Sequence, residues 1–172
     1  MNHSYTVLYE DIKLRSLEEK DIEKVRNWRN LEWARTSFLN ADIISQEQQL
    51  AWYQKYIKKE NDLMFVIEWG GMDIGIVALY NIDYTKSIAE FGRLLIGEPL
   101  ARGKGIGKKV VKAICNFGFN EIKIETIVLE VLESNSYATK IYLDAGFNCK
   151  DKYLTVGKTI YKMEIQKGAI DG

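Results

Sequence analysis

Arg102-Gly103-Lys104-Gly105-Ile106-Gly107 stands between an extended apolar stretch, closed by Gly97-Glu98-Pro99, and a segment in which Ile106, Val110, Ile114 and Phe117 recur at helical spacing. Three alternating glycines at a strand-to-helix junction let backbone N–H groups come close to an anion, which the positive end of the helix favours. Two common phosphate loops are excluded by register. A Walker loop ending at Gly107-Lys108 would need Gly at 102 and Ser or Thr at 109, where Arg102 and Lys109 stand. A dinucleotide fingerprint starting at Gly103 or Gly105 would need Gly at 108 or 110, where Lys108 and Val110 stand.

Downstream of this turn, Thr126 to Leu132 reads as an apolar strand that completes a strand-loop-helix-strand unit. Ser134 or Asn135 then caps a short helix with Ala138, Ile141, Tyr142 and Ala145 on one side, and Gly146 suits the left-handed position past its end. Tyr153 to Ile165 reads as a hairpin turning at Gly157-Lys158. Upstream, Leu63 to Trp69 and Met72 to Ile82 are strands joined by Gly70-Gly71, and a turn at Tyr84, Thr85 and Lys86 leads into Ser87 to Ile96. Near the start, Ile12 and Leu14 alternate with Lys13 and Arg15 as a strand. Ser16 with Glu19 is expected to form a capping box for a helix through Ile22, Val25, Trp28 and Arg29. Ser45 with Gln48 does the same for a helix whose apolar face is Leu50, Tyr53 and Ile57. The order β-α-α-β-β-β-α-β-α-β-β predicts an α/β fold with a mixed sheet, one domain over residues 1–172.

Composition removes whole classes of function. Twenty-four Lys and Arg balance 24 Asp and Glu, so the basic excess of a nucleic-acid binder is missing. The longest apolar runs, such as Ile74 to Tyr80, fall short of the roughly 20 residues that span a bilayer, and the N-terminus has no basic-then-apolar leader. The expectation is a cytoplasmic protein without a membrane partner. The single histidine, His3, sits in a terminal segment expected to fray, which leaves no base for a Ser or Cys triad and no His-based zinc site. Cys115 and Cys149 lack metal or redox spacing and read as small buried apolar residues, so no metal is expected.

A second motif gives the glycine turn its company. Arg102, Gly105 and Gly107 fill the pattern [QR]-x-x-G-x-[GA], and Asn135, Ala138, Ile141, Tyr142, Gly146 and Phe147 fill N-x-x-A-x-x-[LI]-Y-x-x-x-G-F. With both at this separation, the chain resembles the GNAT N-acetyltransferase superfamily over nearly its whole length. The resemblance implies a mostly antiparallel mixed sheet, splayed into a V between its fourth and fifth strands, with helices on both faces. It also implies acetyl-CoA as cofactor, direct transfer to a primary amine in a ternary complex, and a monomer or homodimer.

Residue roles follow from that resemblance. Pyrophosphate would rest on the N–H groups of Gly103, Lys104, Gly105, Ile106, Gly107 and Lys108, with Arg102, Lys104 or Lys108 adding charge and Asn135 on the same cofactor side. Leu95, Ile96 and Gly97 would present free backbone groups to the pantetheine and polarise the thioester carbonyl. Tyr142 holds the position of the general acid, where a phenol near pKa 10 can protonate a departing thiolate near 8.5. Glu90, on the strand entering the cleft, could take the proton from the amine. Glu98, beside Pro99, reads as a surface residue.

In this superfamily the first two helices and their connection build the acceptor side, where Trp28-Arg29-Asn30, Trp33, Arg35, Gln49 and Trp52 stand here. Aromatic and arginine groups suit a stacked base and a diphosphate, whereas a polyamine favours convergent carboxylates. Trp28-Arg29-Asn30, with Thr85 and Lys86 ahead of Glu90-Phe91-Gly92, resembles the branch that acetylates nucleotide-linked 4-amino-sugars of the pseudaminic-acid pathway. Polyamine acetylation and N-terminal acetylation of ribosomal protein are the alternatives in neighbouring branches. An alternative of another class is a non-catalytic module that binds acyl-CoA and regulates a partner, against which an intact loop together with Tyr142 counts.

Overall fold

The computed structural model describes residues 2–38 and 41–169. Among these, eight strands form one sheet in the order β1-β2-β3-β4-β5-β6-β8-β7. β1 (Thr6–Tyr9), β2 (Ile12–Ser16), β3 (Leu63–Trp69), β4 (Met72–Asp83) and β5 (Ile88–Ile96) run antiparallel in chain order. β6 (Thr126–Leu132) lies parallel to β5, and β8 (Lys158–Gln166) inserts between β6 and β7 (Asn148–Thr155). The helices are α1 (Ile22–Asn30), α2 (Glu32–Arg35), α3 (Gln46–Tyr56), α4 (Ile106–Asn120) and α5 (Ser136–Asp144).

Strand alternation divides the apolar residues into two cores. On one face Leu14, Phe65, Val77, Leu79, Phe91 and Ile127 pack under Ile106, Val110, Ile114 and Phe117 of α4. On the other, Met64, Val66, Ile76, Ala78 and Leu95 pack under Val25, Trp28, Tyr53 and Tyr56 of the first helices. A β-bulge in β5 changes which residues face which way. Gly92 pairs with Ala78 and Leu95 with Ile76, so Arg93 and Leu94 together oppose Val77. Ala89 and Phe91 accordingly face α4, whereas beyond the bulge Leu95 faces α1.

The structure corrects several expectations. Thr6–Tyr9 is a further strand, paired from Thr6↔Arg15 to Tyr9↔Ile12, and only Val7 and Tyr9 of it are even partly covered, which weakened its apolar signal. The terminal segment is held from residue 2 onward. The His3 ring lies 4.8 Å from the Phe65 ring with Nε2 2.9 Å from the Met64 carbonyl, and the Tyr56 hydroxyl donates to Asn2 Oδ1 at 2.6 Å. The first capping residue is not Ser16, which ends β2. Asp21 accepts from the Glu18 backbone N–H at 2.9 Å while its carboxylate is gripped by Arg15 at 2.7 and 2.9 Å. The second box forms as expected between Ser45 and Gln48, but α3 buries Gln49, Tyr53 and Tyr56 and leaves Leu50 exposed. The last hairpin turns at Val156-Gly157, one residue earlier than expected, and Cys149, expected to be buried, is exposed because it stands on the edge strand β7. Gly70 and Gly71, both at positive φ (59° and 80°), make the turn their sequence demanded.

Candidate active site

β5 and β6 pair only at Ile88↔Thr126, Ala89↔Ile127 and Glu90↔Val128. Beyond Glu90 the two strands separate, and a cavity of about 940 Å³ opens between Phe91–Ile96 on one side and Glu130, Val131 and Leu132 on the other. This is the splay expected between Ser87–Ile96 and Thr126–Leu132. Its physical consequence is that the β6-facing edge of β5 near Leu95 and Ile96 keeps backbone groups outside the sheet ladder, available to a ligand.

One end of the cavity is the glycine turn. Gly103 and Gly105 both stand at φ +73°, where an L side chain is strained, and a Cβ on either would meet nothing within 4 Å. Gly105 is the N-cap of α4 and no side chain caps it, so the first N–H groups of the helix face open space. Gly107 has the Ile141 methyl 3.5 Å from its missing Cβ, which lets α5 close against α4. Arg102 lines the same end with its guanidinium 3.7 Å from the centroid of the Trp33 ring. An unsatisfied helix start, a flanking arginine and a free strand edge are together what a long molecule with a pyrophosphate and an amide-bearing arm requires. The residues present therefore fit CoA.

Tyr142 lines the middle of the cavity, 8 % exposed, with its ring set against Phe91 (5.7 Å, 75°) and Phe147 (5.9 Å, 60°). Its hydroxyl has no hydrogen bond among the described residues, and burial pushes its pKa above the ordinary phenol value. Asn135 caps α5, its Oδ1 accepting from the Ala138 N–H at 3.2 Å, and also lines the cavity.

The other end holds Tyr80, Glu90, Arg93, Arg29 and Phe38. Glu90 accepts from the Tyr80 hydroxyl at Oε1 and from Asn81 Nδ2 at Oε2, both at 2.9 Å. Arg29 places its guanidinium 4.2 Å from the centroid of Phe38. Its Nε is buried without a partner among the described residues, and burial, followed by the nearby Arg93 charge, pulls its pKa down. Such a cation gains from any anion that reaches it.

Of the site residues read from sequence, the cavity brings together Glu90, Leu95, Ile96, Arg102, Gly103, Gly105, Ile106, Gly107, Asn135, Tyr142 and Arg29. Lys104 and Lys108 are exposed outside it. Gly97 and Trp28 instead pack on each other, and the indole Nε1 donates to Glu98 Oε1 at 2.9 Å, so Glu98 is a partner within the fold rather than a bare surface group. Trp52 stacks on Tyr56 at 5.1 Å, Gln49 donates to the Ile22 carbonyl at 3.3 Å, and Thr85 and Lys86 donate to Asp83 in their own turn. None of these five, counting Trp28, lines the cavity among the described residues. Trp33, read from sequence on the acceptor side, also lines the cavity; sequence reasoning missed Tyr80 and Arg93, which carry no motif, and the bulge hides Arg93 from any alternation pattern.

Comparison with known proteins places these features in one family. The GNAT acetyltransferase domain model matches residues 11–148. Spermidine N(1)-acetyltransferase of Escherichia coli is 27% identical over 143 residues, 83% of this chain and 76% of that protein. Acetyltransferase PseH of Campylobacter jejuni is 28% identical over 144 residues, 82% and 87% of the two chains. The fold is shared with spermidine N-acetyltransferase from Vibrio cholerae, solved with CoA and spermine, at a TM-score of 0.85 and 24% identity over 95% of this chain and 99% of that one. No helix among the described residues is long and apolar enough to cross a membrane. The chain therefore belongs to the GNAT acetyltransferase family, and it is an enzyme that transfers an acetyl group from acetyl-CoA to an amine.

Proposed function

We propose that the enzyme acetylates a primary amine carried on an anionic molecule, with a nucleotide-linked 4-amino-sugar as the best-fitting class. One observation carries this reading: Arg29, read from sequence on the acceptor side, lines the cavity with a buried Nε that has no partner among the described residues. A diphosphate reaching Arg29 would relieve that cation's desolvation, and the Phe38 ring stands beside it for a base.

Acetyl-CoA supplies the activated acyl group. In this reading the free N–H groups before and within the first turn of α4 hold its pyrophosphate, and the open edge of β5 at Leu95 and Ile96 holds its arm and donates to the carbonyl oxygen. Glu90 takes a proton from the acceptor's ammonium. Tyr142, kept in its neutral form by burial, returns one to the departing sulfur. Phe91 and Phe147 exclude water from that proton.

A second reading is a polyamine acceptor, favoured by two carboxylates on the same cavity, Glu90 and Glu130, and by relatives that bear that name. Both readings are tested by measuring kcat/KM through free-thiol release with a UDP-linked 4-amino-sugar, spermidine and an alanine-initiated peptide. The sugar nucleotide should lead. A clear preference for spermidine or the peptide overturns the anionic-carrier reading and leaves the transferase intact.

A further inference from the structure

Tyr80 is held from three sides. Its hydroxyl donates to Glu90 Oε1 at 2.9 Å, the Arg93 guanidinium covers its ring at 4.1 Å, and it runs so close to Gly92 that a Cβ there would sit 3.0 Å from the phenol oxygen. We infer that Tyr80 is a positioning residue for Glu90, and that the buried Asp62–Arg93 ion pair is the brace that fixes it. This rests on the reading of Glu90 as the group that takes the acceptor's proton.

The brace is visible in the backbone. Regular alternation would turn the residue after Gly92 toward α4, into the apolar core of Phe91 and Ile114. The bulge keeps Arg93 on the acceptor face with Gly92 and Glu90, at φ +55°, a left-handed conformation that disfavours any residue with a Cβ. What that strained position gains is a two-pronged grip on Asp62, at 2.7 and 3.2 Å, and a flat guanidinium over Tyr80. Asp62 is 3 % exposed, and its charge is met closely by Arg93 and more distantly by Lys59, whose Nζ is 3.8 Å from Oδ2. Asn81 completes the arrangement from the other side, donating to Glu90 Oε2 at 2.9 Å from a second left-handed position, φ +47°. The Glu90 carboxylate thus has one fixed donor on each oxygen, and both donors come from β4. An acceptor amine entering the cavity meets a carboxylate already oriented, which is the preorganisation a proton transfer needs.

The test separates orientation from folding. Tyr80→Phe keeps the ring and its stacking on Arg93 and deletes only the hydroxyl. It should lower kcat with the acceptor by about tenfold or more, as expected for a misplaced catalytic group, while the KM for acetyl-CoA and the melting temperature hold. Arg93→Lys keeps a charge for Asp62 but loses the flat contact with Tyr80, and it should lower the same kcat. If Arg93 acts through Tyr80, then adding Arg93→Lys to Tyr80→Phe brings no further loss of kcat. Additive losses, or a Tyr80→Phe enzyme with wild-type kcat while Glu90→Gln is strongly impaired, overturn the positioning role alone. Wild-type turnover in Glu90→Gln overturns instead the proton-acceptor reading beneath it. Should Arg93→Lys fail to fold, Tyr80→Phe alone decides.

Discussion

The Trp28 indole covers Gly97 so closely that a Cβ on the glycine would clash with the ring, and the indole N–H donates to Glu98, the next residue along. The pair locks α1 onto the end of β5. Gly97→Ala must push the indole, and α1 with it, away from the sheet. Overpacking of this kind costs about 1–3 kcal/mol, or roughly 2–4 °C of melting temperature per kcal/mol in a chain of this size. A thermal melt of Gly97→Ala at the wild-type temperature would show that α1 can move freely here.

Trp28 and Gly97 also show where sequence reading stops. Both stand in stretches that resemble a binding pattern, yet each is explained by the other. The glycine turn and the helix-capping Asn135 were legible because their chemistry is local: positive φ, an uncapped helix start and a side chain bonding its own backbone. The splay was legible only through family resemblance. The meeting of Tyr80, Arg93 and Asp62 was not legible, since it depends on a one-residue bulge that puts the Arg93 side chain of β5 on the face Tyr80 of β4 takes by regular alternation. His3 was misread for a similar reason, because its partners, Met64 and Phe65, lie some sixty residues away.

Gly105→Val should weaken the cofactor rather than the fold. The side chain faces open space, so the fold loses only the backbone strain of a left-handed residue, roughly 1–2 kcal/mol. The loop N–H groups, however, lose their close approach to a phosphate. The KM for acetyl-CoA should rise about tenfold or more with kcat at saturation largely kept, and calorimetric titration with CoA reads the same loss directly. Unaltered CoA binding would remove the turn from the cofactor site.

Tyr142→Phe tests the acid. The ring contacts with Phe91 and Phe147 survive and only the hydroxyl goes, so kcat should fall by roughly 10²-fold, the usual range for a lost general acid, at unchanged stability. Burial raises the pKa of Tyr142, and likewise of Tyr56 and Tyr80, in the native state. Above about pH 10, where an ordinary tyrosine ionises, the native protein therefore holds protons that the unfolded chain has lost. The stability they provide is present below that pH and declines above it. Urea midpoints at pH 8 and 10.5 check the sign; a higher midpoint at the alkaline value would contradict the burial of these phenols.

His3 gives the opposite slope on the acid side. Burial lowers its pKa from 6.5 despite the Met64 carbonyl beside it. Below pH 6.5 the unfolded chain takes up a proton that the native one resists, so stability is full above that value and falls as the pH drops through the lowered native pKa. It is the chain's single histidine. His3→Gln should flatten the loss of urea midpoint between pH 7 and 5; a slope equal to wild type would assign that loss elsewhere.

The acceptor cations make the sharpest contrast. Arg29 and Lys86 both qualified from sequence as partners for an acceptor diphosphate, but Arg29 lines the cavity while Lys86 sits 78% exposed on the turn that Asp83 organises, outside the cavity lining. A desolvated charge-assisted contact is worth roughly 1.5–3 kcal/mol, whereas an exposed lysine held in a screened surface pair contributes little. With a UDP-linked amino-sugar, Arg29→Ala should raise the acceptor KM about tenfold to a hundredfold, and Lys86→Ala should leave it within twofold, at ordinary acetyl-CoA affinity in both. With spermidine the sign of the Arg29→Ala effect reverses, because removing a buried cation relieves repulsion of a polycation next to Glu90 and Glu130. A tenfold KM increase for both acceptors would mean that Arg29 shapes the cavity without reading charge, and the anionic carrier would lose its support.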